Sequence, residues 1–140
     1  MAALSISAAN VRPIGATSIE RVLAGEAITQ GQPVFPQDSN GQWIKSDAND
    51  STKQKVTGVA MSPASASGDP LIIAKQVGGS INIGATTVKG AMYYVGATAG
   101  ELVPLADLTT GDAVLPVLQA RDTSGNCDLV LLDPEELTIL

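Results

Sequence analysis

Hydrophobic and polar positions alternate along the chain over short runs, and small or turn-forming residues break the runs every eight to twelve positions. The clearest case is residues 70–84, PLIIAKQVGGSINIG. Two apolar runs flank Gly78-Gly79, and a Gly-Gly pair between alternating runs predicts a two-residue hairpin, because such turns need φ > 0. Its register would set Val77 opposite Ser80, Gln76 opposite Ile81, Lys75 opposite Asn82 and Ala74 opposite Ile83. Cross-strand partners share a face, so Ile72, Ala74, Ile81 and Ile83 are expected on the buried side, with Lys75 and Asn82 opposite.

The same reading runs along the rest of the chain. Leu4 and Ile6 alternate with Ser5 and Ser7, and Arg12-Pro13 closes residues 1–14 as an extended N-terminal arm. Residues 17–24, TSIERVLA, fit either a helical turn or a strand. Ala27-Ile28-Thr29 reads as a short strand. Val34-Phe35 and Trp43-Ile44 are expected to pair around Asp38-Ser39-Asn40-Gly41, since Asn-Gly readily adopts left-handed conformations. Residues 56–61 form the next strand, in which Gly58 marks a bulge or a close backbone approach. Residues 91–95, AMYYV, place Tyr93 and Tyr94 on opposite faces. Leu102-Val103-Pro104 suits an edge strand, and Pro116 puts residues 113–120 at an edge or a bulge. Residues 127–132 are the last expected strand, with Cys127, Leu129 and Leu131 on one face. Residues 133–137 open a helical turn or a tail. Eight to ten short strands predict an all-β fold: a compact antiparallel β-barrel or sandwich, with an arm at 1–14 and a single β domain over 15–140.

Composition narrows the chemistry. Apolar residues make up 44% of 140, enough for a core, yet only one Phe, one Trp and two Tyr are present, so Val, Ile, Leu and Ala must fill it. With 8 Lys and Arg against 14 Asp and Glu the formal charge is −6. An acidic chain without a basic cluster disfavours nucleic acid as a partner. No apolar run reaches the roughly 18 residues of a membrane span, and no secretory signal is expected at residues 1–14. One cysteine, Cys127, excludes an intrachain disulfide, and the absence of histidine removes the commonest general base and zinc ligand.

Each remaining candidate has a plainer structural reading. Asp47 and Asp50 lack the spacing of a calcium loop. The carboxylate pairs Glu135-Glu136 and Asp107 with Asp112 lie in tail and turn stretches. Cys127 sits in strand alternation, as a buried small hydrophobe does. Ser62 and Ser80 have no histidine to activate them. No catalytic, cofactor-binding or metal site is expected, and the chain reads as not an enzyme.

Several stretches together carry a family likeness. GEAITQGQPV at 25–34, NGQWIK at 40–45, GVA at 58–60 with its small-residue loop, NIGAT at 82–86, YYVGATAG at 93–100 and PLADLTTGD at 104–112 resemble, in order and spacing, the capsid cement (head decoration) proteins of tailed bacteriophages. The resemblance covers about two-thirds to three-quarters of the chain. It implies a structural virion protein, made in the host cytoplasm, on the outer face of the expanded head. There such proteins clamp neighbouring major capsid proteins, commonly as homotrimers at three-fold and quasi-three-fold positions. It supplies no catalytic residues and no cofactor. Leu4, Ile6, Val11 and Arg12 of the arm are the expected capsid contacts: Leu4 and Ile6 would add a strand to a capsid edge, and Arg12 would reach an acidic group. The competing readings are a tail- or fibre-associated β module and a sugar-binding barrel whose mouth holds Trp43 with Tyr93 or Tyr94.

Overall fold

The computed structural model describes residues 3–15, 17–75, 78–131 and 138–140. The strands are β1 (Arg12–Ile14), β2 (Ile19–Leu23), β3 (Pro33–Pro36), β4 (Trp43–Lys45), β5 (Gly58–Ala60), β6 (Pro70–Ala74), β7 (Ser80–Asn82), β8 (Met92–Val95), β9 (Leu102–Val103), β10 (Ala113–Val114), β11 (Pro116–Ala120), β12 (Asn126–Leu129) and β13 (Thr138–Ile139). Two 3₁₀ turns, Ala8–Asn10 and Leu105–Asp107, are the helical pieces among the described residues. The fold is all-β, and the strands pair antiparallel throughout.

Five strands form one sheet in the order β2-β6-β5-β3-β4, six form a second in the order β1-β7-β12-β11-β8-β9, and β10 pairs with β13. The five-stranded sheet rolls on itself. Just past β2, Ala24 makes a parallel bridge to Trp43 of β4, and the Gly25 N–H donates to the Trp43 carbonyl at 2.7 Å. Inside the roll lie Ala24, Ile28, Val34, Trp43, Ala60, Ala64, Leu71 and Ile73. A larger core joins the two sheets, with Val59 and Ala74 from the first packed among Ile81, Val95, Val117, Leu118 and Leu129 of the second. Branched aliphatics build both cores, as the shortage of aromatics requires.

The hairpin expected at Gly78-Gly79 is absent. β6 pairs with β2 and β5, whereas β7 pairs with β1 and β12 in the other sheet. Ala74 therefore faces Ile19 and Val59, and Asn82 faces Arg12 and Asn126; the expected pairs Ala74–Ile83 and Lys75–Asn82 do not form. Gln76 and Val77 lie outside the described residues. The glycines meet β12 instead of closing on each other: the Gly78 N–H donates to Leu129 O at 3.0 Å, and Gly79 O accepts from the Leu129 N–H at 2.7 Å. Gly78 does have positive φ, at 83°, but that conformation serves a crossing between sheets as well as it serves a turn. The expected faces shift with the pairing. Ala74, Ile81 and Ile83 are buried together, but Ile72 is outside and Leu71 and Ile73 are inside; Asn82 is buried rather than exposed.

Some of the other local expectations hold and some do not. Phe35 pairs with Ile44 around Asn40-Gly41, where Gly41 has φ 70°. Within residues 17–24 the strand alternative is the one that forms, as β2 (Ile19–Leu23). Tyr93 is buried and Tyr94 only partly so, β9 is an edge, and the register shifts between Pro116 and Leu118 as a bulge. At Gly58 an added Cβ would stand 3.0 Å from Ala74 O, a close backbone approach. Ala27-Ile28-Thr29 reduces to a single bridge from Ile28 to Ala64. The strand at Cys127 ends at Leu129 and is not the last, because β13 returns to pair with β10. The turn or tail expected at 133–137 falls outside the described residues, as does Leu132. Residues 3–14, expected as an arm, are extended for part of their length but lie against the body.

Candidate interaction surface

The four residues expected to grip a partner sit on this chain's own sheets. Leu4 and Ile6 are half-buried against the larger core, with Ser5 and Ser7 turned outward. The Leu4 N–H donates to Leu102 O at 2.9 Å, and the Ser7 N–H to Gly84 O at 2.8 Å. Val11 is buried in the same core. Arg12 alone is exposed; its Nη1 donates to Asn10 O at 3.0 Å. A groove of about 490 Å³ opens beside this segment, with Leu4, Val88, Ala91 and Tyr93 among its walls. The Tyr93 hydroxyl accepts the Val88 N–H at 3.0 Å, which fixes the ring.

Two polar clusters brace β7 and β12. Arg121 donates through Nε and Nη2 to Asp128 Oδ1, each at 2.7 Å, and through Nη2 to the Ser80 hydroxyl. Ser80 in turn donates to Asp128 Oδ1 at 2.9 Å. Thr17 joins by accepting the Ser80 N–H at 2.8 Å. The Arg121 hydrogen bond holds the Asp128 carboxyl below the usual range, and the same contact raises Arg121. In the second cluster, Asp122 accepts from Asn126 Nδ2 and the Ser124 N–H, both at 2.8 Å, which lowers its pKa. Asn82 Nδ2 donates to Ser124 O and Asn126 Oδ1, and its own Oδ1 accepts the Gly84 N–H. In the sequence only an alternating Asn and a turn are visible; the buried network needs the β7–β12 pairing to exist.

The residues weighed for chemistry are occupied in holding turns. Asp47 accepts the Asn49 N–H, and Asp50 accepts the N–H and hydroxyl of Thr52, which lowers Asp50. Asp112 is buried and accepts the Thr109 N–H at 2.8 Å; Glu135 and Glu136 lie outside the described residues. Ser62 Oγ accepts the Ile72 N–H. Burial, with Asp122 and Asp128 nearby, pushes the Cys127 thiol up to about 12, so the reactive thiolate is suppressed. No group of three or more His, Cys, Asp or Glu that could hold a metal occurs among the described residues. Trp43 and Tyr93 lie in separate cores, so they do not share the mouth that a sugar site would need.

What the surface offers is apolar. Ile19, Leu23 and Ile72 are exposed on β2 and β6, and Val88 and Leu105 stand out on the loops around the second sheet. Residues 19–23, I-E-R-V-L, carry no clean alternation, and the expected placement of Ile72 inside a hairpin hides its exposure. No protein-family model matches the chain, and no curated protein matches it significantly.

Proposed function

We propose that this protein is a structural virion component that binds the outer surface of an expanded tailed-phage head and stabilises it by clamping neighbouring major capsid proteins. One observation carries the reading. The stretches that resemble capsid cement proteins fall across both sheets: residues 25–34 lead into β3, 82–86 leave β7, and 93–100 run from β8 toward β9. The likeness therefore runs through strands of both sheets and not one hairpin.

The physics of such a role asks for a rigid body and a repeated contact. A protein that binds only the expanded lattice stabilises it by mass action, since the binding free energy is missing from the unexpanded or ruptured state. Repetition over symmetry-related sites, in a trimer at each three-fold position, adds avidity. In this structure Leu4, Ile6 and Val11 are engaged with the body, so as a clasp the segment would act through Arg12 and the exposed Ser5 and Ser7 edge, or after release from Leu102.

The test is binding of purified protein to expanded heads that lack it, followed by heating with DNA release as the readout. Saturation at a stoichiometry matching the three-fold sites, with a raised rupture temperature, is the expected result. No binding at high protein excess overturns the reading.

A further inference from the structure

The β2–β6 pair keeps an apolar surface outside both cores. Arg21 stands opposite Ile72, Leu23 opposite Pro70 and Ile19 opposite Ala74. Cross-strand partners share a face, so Ile19, Arg21, Leu23, Pro70 and Ile72 form one surface, while Val22, Leu71 and Ile73 turn into the rolled sheet. Ala74 itself belongs to the larger core, while on the β2 side the row is in solvent from end to end, with Ile19 and Leu23 at 53% and 51% exposure. Single exposed aliphatics are ordinary; here Ile19, Leu23 and Ile72 surround Arg21 on one face of the β2–β6 pair, the kind of grouping an interaction surface presents.

The backbone beside them is open. β2 ends its sheet, with β6 as its one strand neighbour. The Ala24 N–H donates to Asp69 O, and Ala24 O accepts from the Gly68 N–H, so Ala24 faces the β6 side. An antiparallel ladder alternates, and the main-chain groups of Ile19 and Arg21 therefore point away from β6. That is the direction in which, further along, Gly25 meets Trp43. An edge of this kind accepts an added strand.

The charge pattern says what the strand carries. Glu20 on the other face is taken by Lys75, but Arg21 has no ion pair among the described residues and sits between Ile19 and Leu23. We propose that this edge and face dock an extended segment of another protein, in which apolar residues flank a carboxylate that pairs with Arg21. A second copy fits poorly: an antiparallel pairing about a two-fold that sets Ile19 on Leu23 would set Arg21 on Arg21, and like charges directly opposed destabilise. The inference rests on the head-binding reading and names the gripping surface and the chemistry of the segment it takes from the shell.

The experiment compares wild type, Arg21→Glu, the double variant Ile19→Ser/Leu23→Ser and Lys89→Glu for binding to expanded heads lacking the protein. All four residues are exposed, and matching thermal melts check that each variant folds. Arg21→Glu and the double variant are expected to lose about tenfold or more in affinity, with Lys89→Glu unchanged. If wild type binds and both β2 variants bind equally well, the surface is wrong and the head-binding reading stands. If wild type does not bind, both fall. If wild type self-associates in sedimentation and the β2 variants abolish it, the occupant is a second copy and the proposal is overturned.

Discussion

The Leu4 N–H donates to the carbonyl of Leu102 across 2.9 Å, which ties the start of the described chain to β9. β9 is one edge of the six-stranded sheet and β1 is the other. Residues 3–14 thus touch both edges, running from Leu102 past Gly84 to the pairing of Arg12 with Asn82. The five-stranded sheet meets the same problem with Ala24 and Trp43. In each sheet the chain just outside a regular strand covers part of one edge, at Leu102 and at Trp43, while Ile19 and Arg21 of β2 stay open.

Residues 3–14 should therefore contribute to stability whatever they do for a partner. A chain beginning at Gly15 is expected to unfold at lower denaturant than the full chain, because it loses β1, the Leu4 bond and the burial of Val11. Val11→Ala alone should cost about 1–3 kcal/mol. Urea titration followed by Trp43 fluorescence measures both; an unchanged midpoint for the shortened chain would show that the segment only rests on the surface.

The roll of the five-stranded sheet depends on the absence of a side chain at Gly25. A Cβ there would lie 2.7 Å from Gln37 Nε2, 2.9 Å from Ile44 Cγ2 and 3.3 Å from Gln42 Cβ. Gln37 can swing aside, but the β-branched Ile44 on β4 cannot move without disturbing the bridge to Trp43. Gly25→Ala is expected to lose about 1–3 kcal/mol and to shift Trp43 emission toward that of a wetter indole. At Gly41 nothing lies within 4 Å, so Gly41→Ala should show only the backbone cost of positive φ, about 1 kcal/mol, with emission unchanged.

Gly41 and the Gly78-Gly79 pair mark what the sequence makes legible. Asn40-Gly41 sits between Phe35 and Ile44, close in the chain, and local turn chemistry was enough to find that hairpin. Gly78-Gly79 carries an equally strong local signal, yet its neighbours pair with β2, β5, β1 and β12. Alternation reports that Ile81 and Ile83 share a buried face; it cannot report whether Gln76 or Cys127 lies across from Ile81. The contact surface suffers from the same gap. Ile72 reads as core in a hairpin and stands exposed opposite Arg21 in the pairing that forms, and Arg21 acquires meaning only once β2 is known to be an edge. The buried Asn82 network likewise exists only through a non-local pairing.

Cys127 is expected to be chemically silent in the folded protein. It is buried in the larger core opposite Ile81, its Sγ lies 3.3 Å from Gly125 O, and its pKa stands at about 12. An aromatic disulfide reagent at mildly alkaline pH should release no colour from native protein and one equivalent after denaturation. Rapid labelling of the native form would mean that the β7–β12 pairing opens readily.

Acid should weaken the fold through carboxylates whose pKa values are lowered in the folded state. Asp128 is lowered chiefly by Arg121, Asp122 by Asn126 and Ser124, and Asp50 by Thr52. For a depressed carboxyl the unfolded chain binds the proton first, so the stabilisation is fully present above the unfolded value, about 3.9, and drains away as pH falls through the folded value. Unfolding midpoints should thus be insensitive to these groups between about pH 8 and 5 and should drop below about pH 4. Asp128→Asn separates one contribution. It removes the charge that Arg121 and Ser80 hold, so the variant should be less stable than wild type at about pH 7 and the difference should shrink as the pH approaches about 2. The groups are largely exposed, and added salt should reduce the neutral-pH difference as well. A gap between wild type and Asp128→Asn that stays constant from neutral to strongly acid pH would mean that the Arg121–Asp128 pair does not hold β11 to β12 through charge.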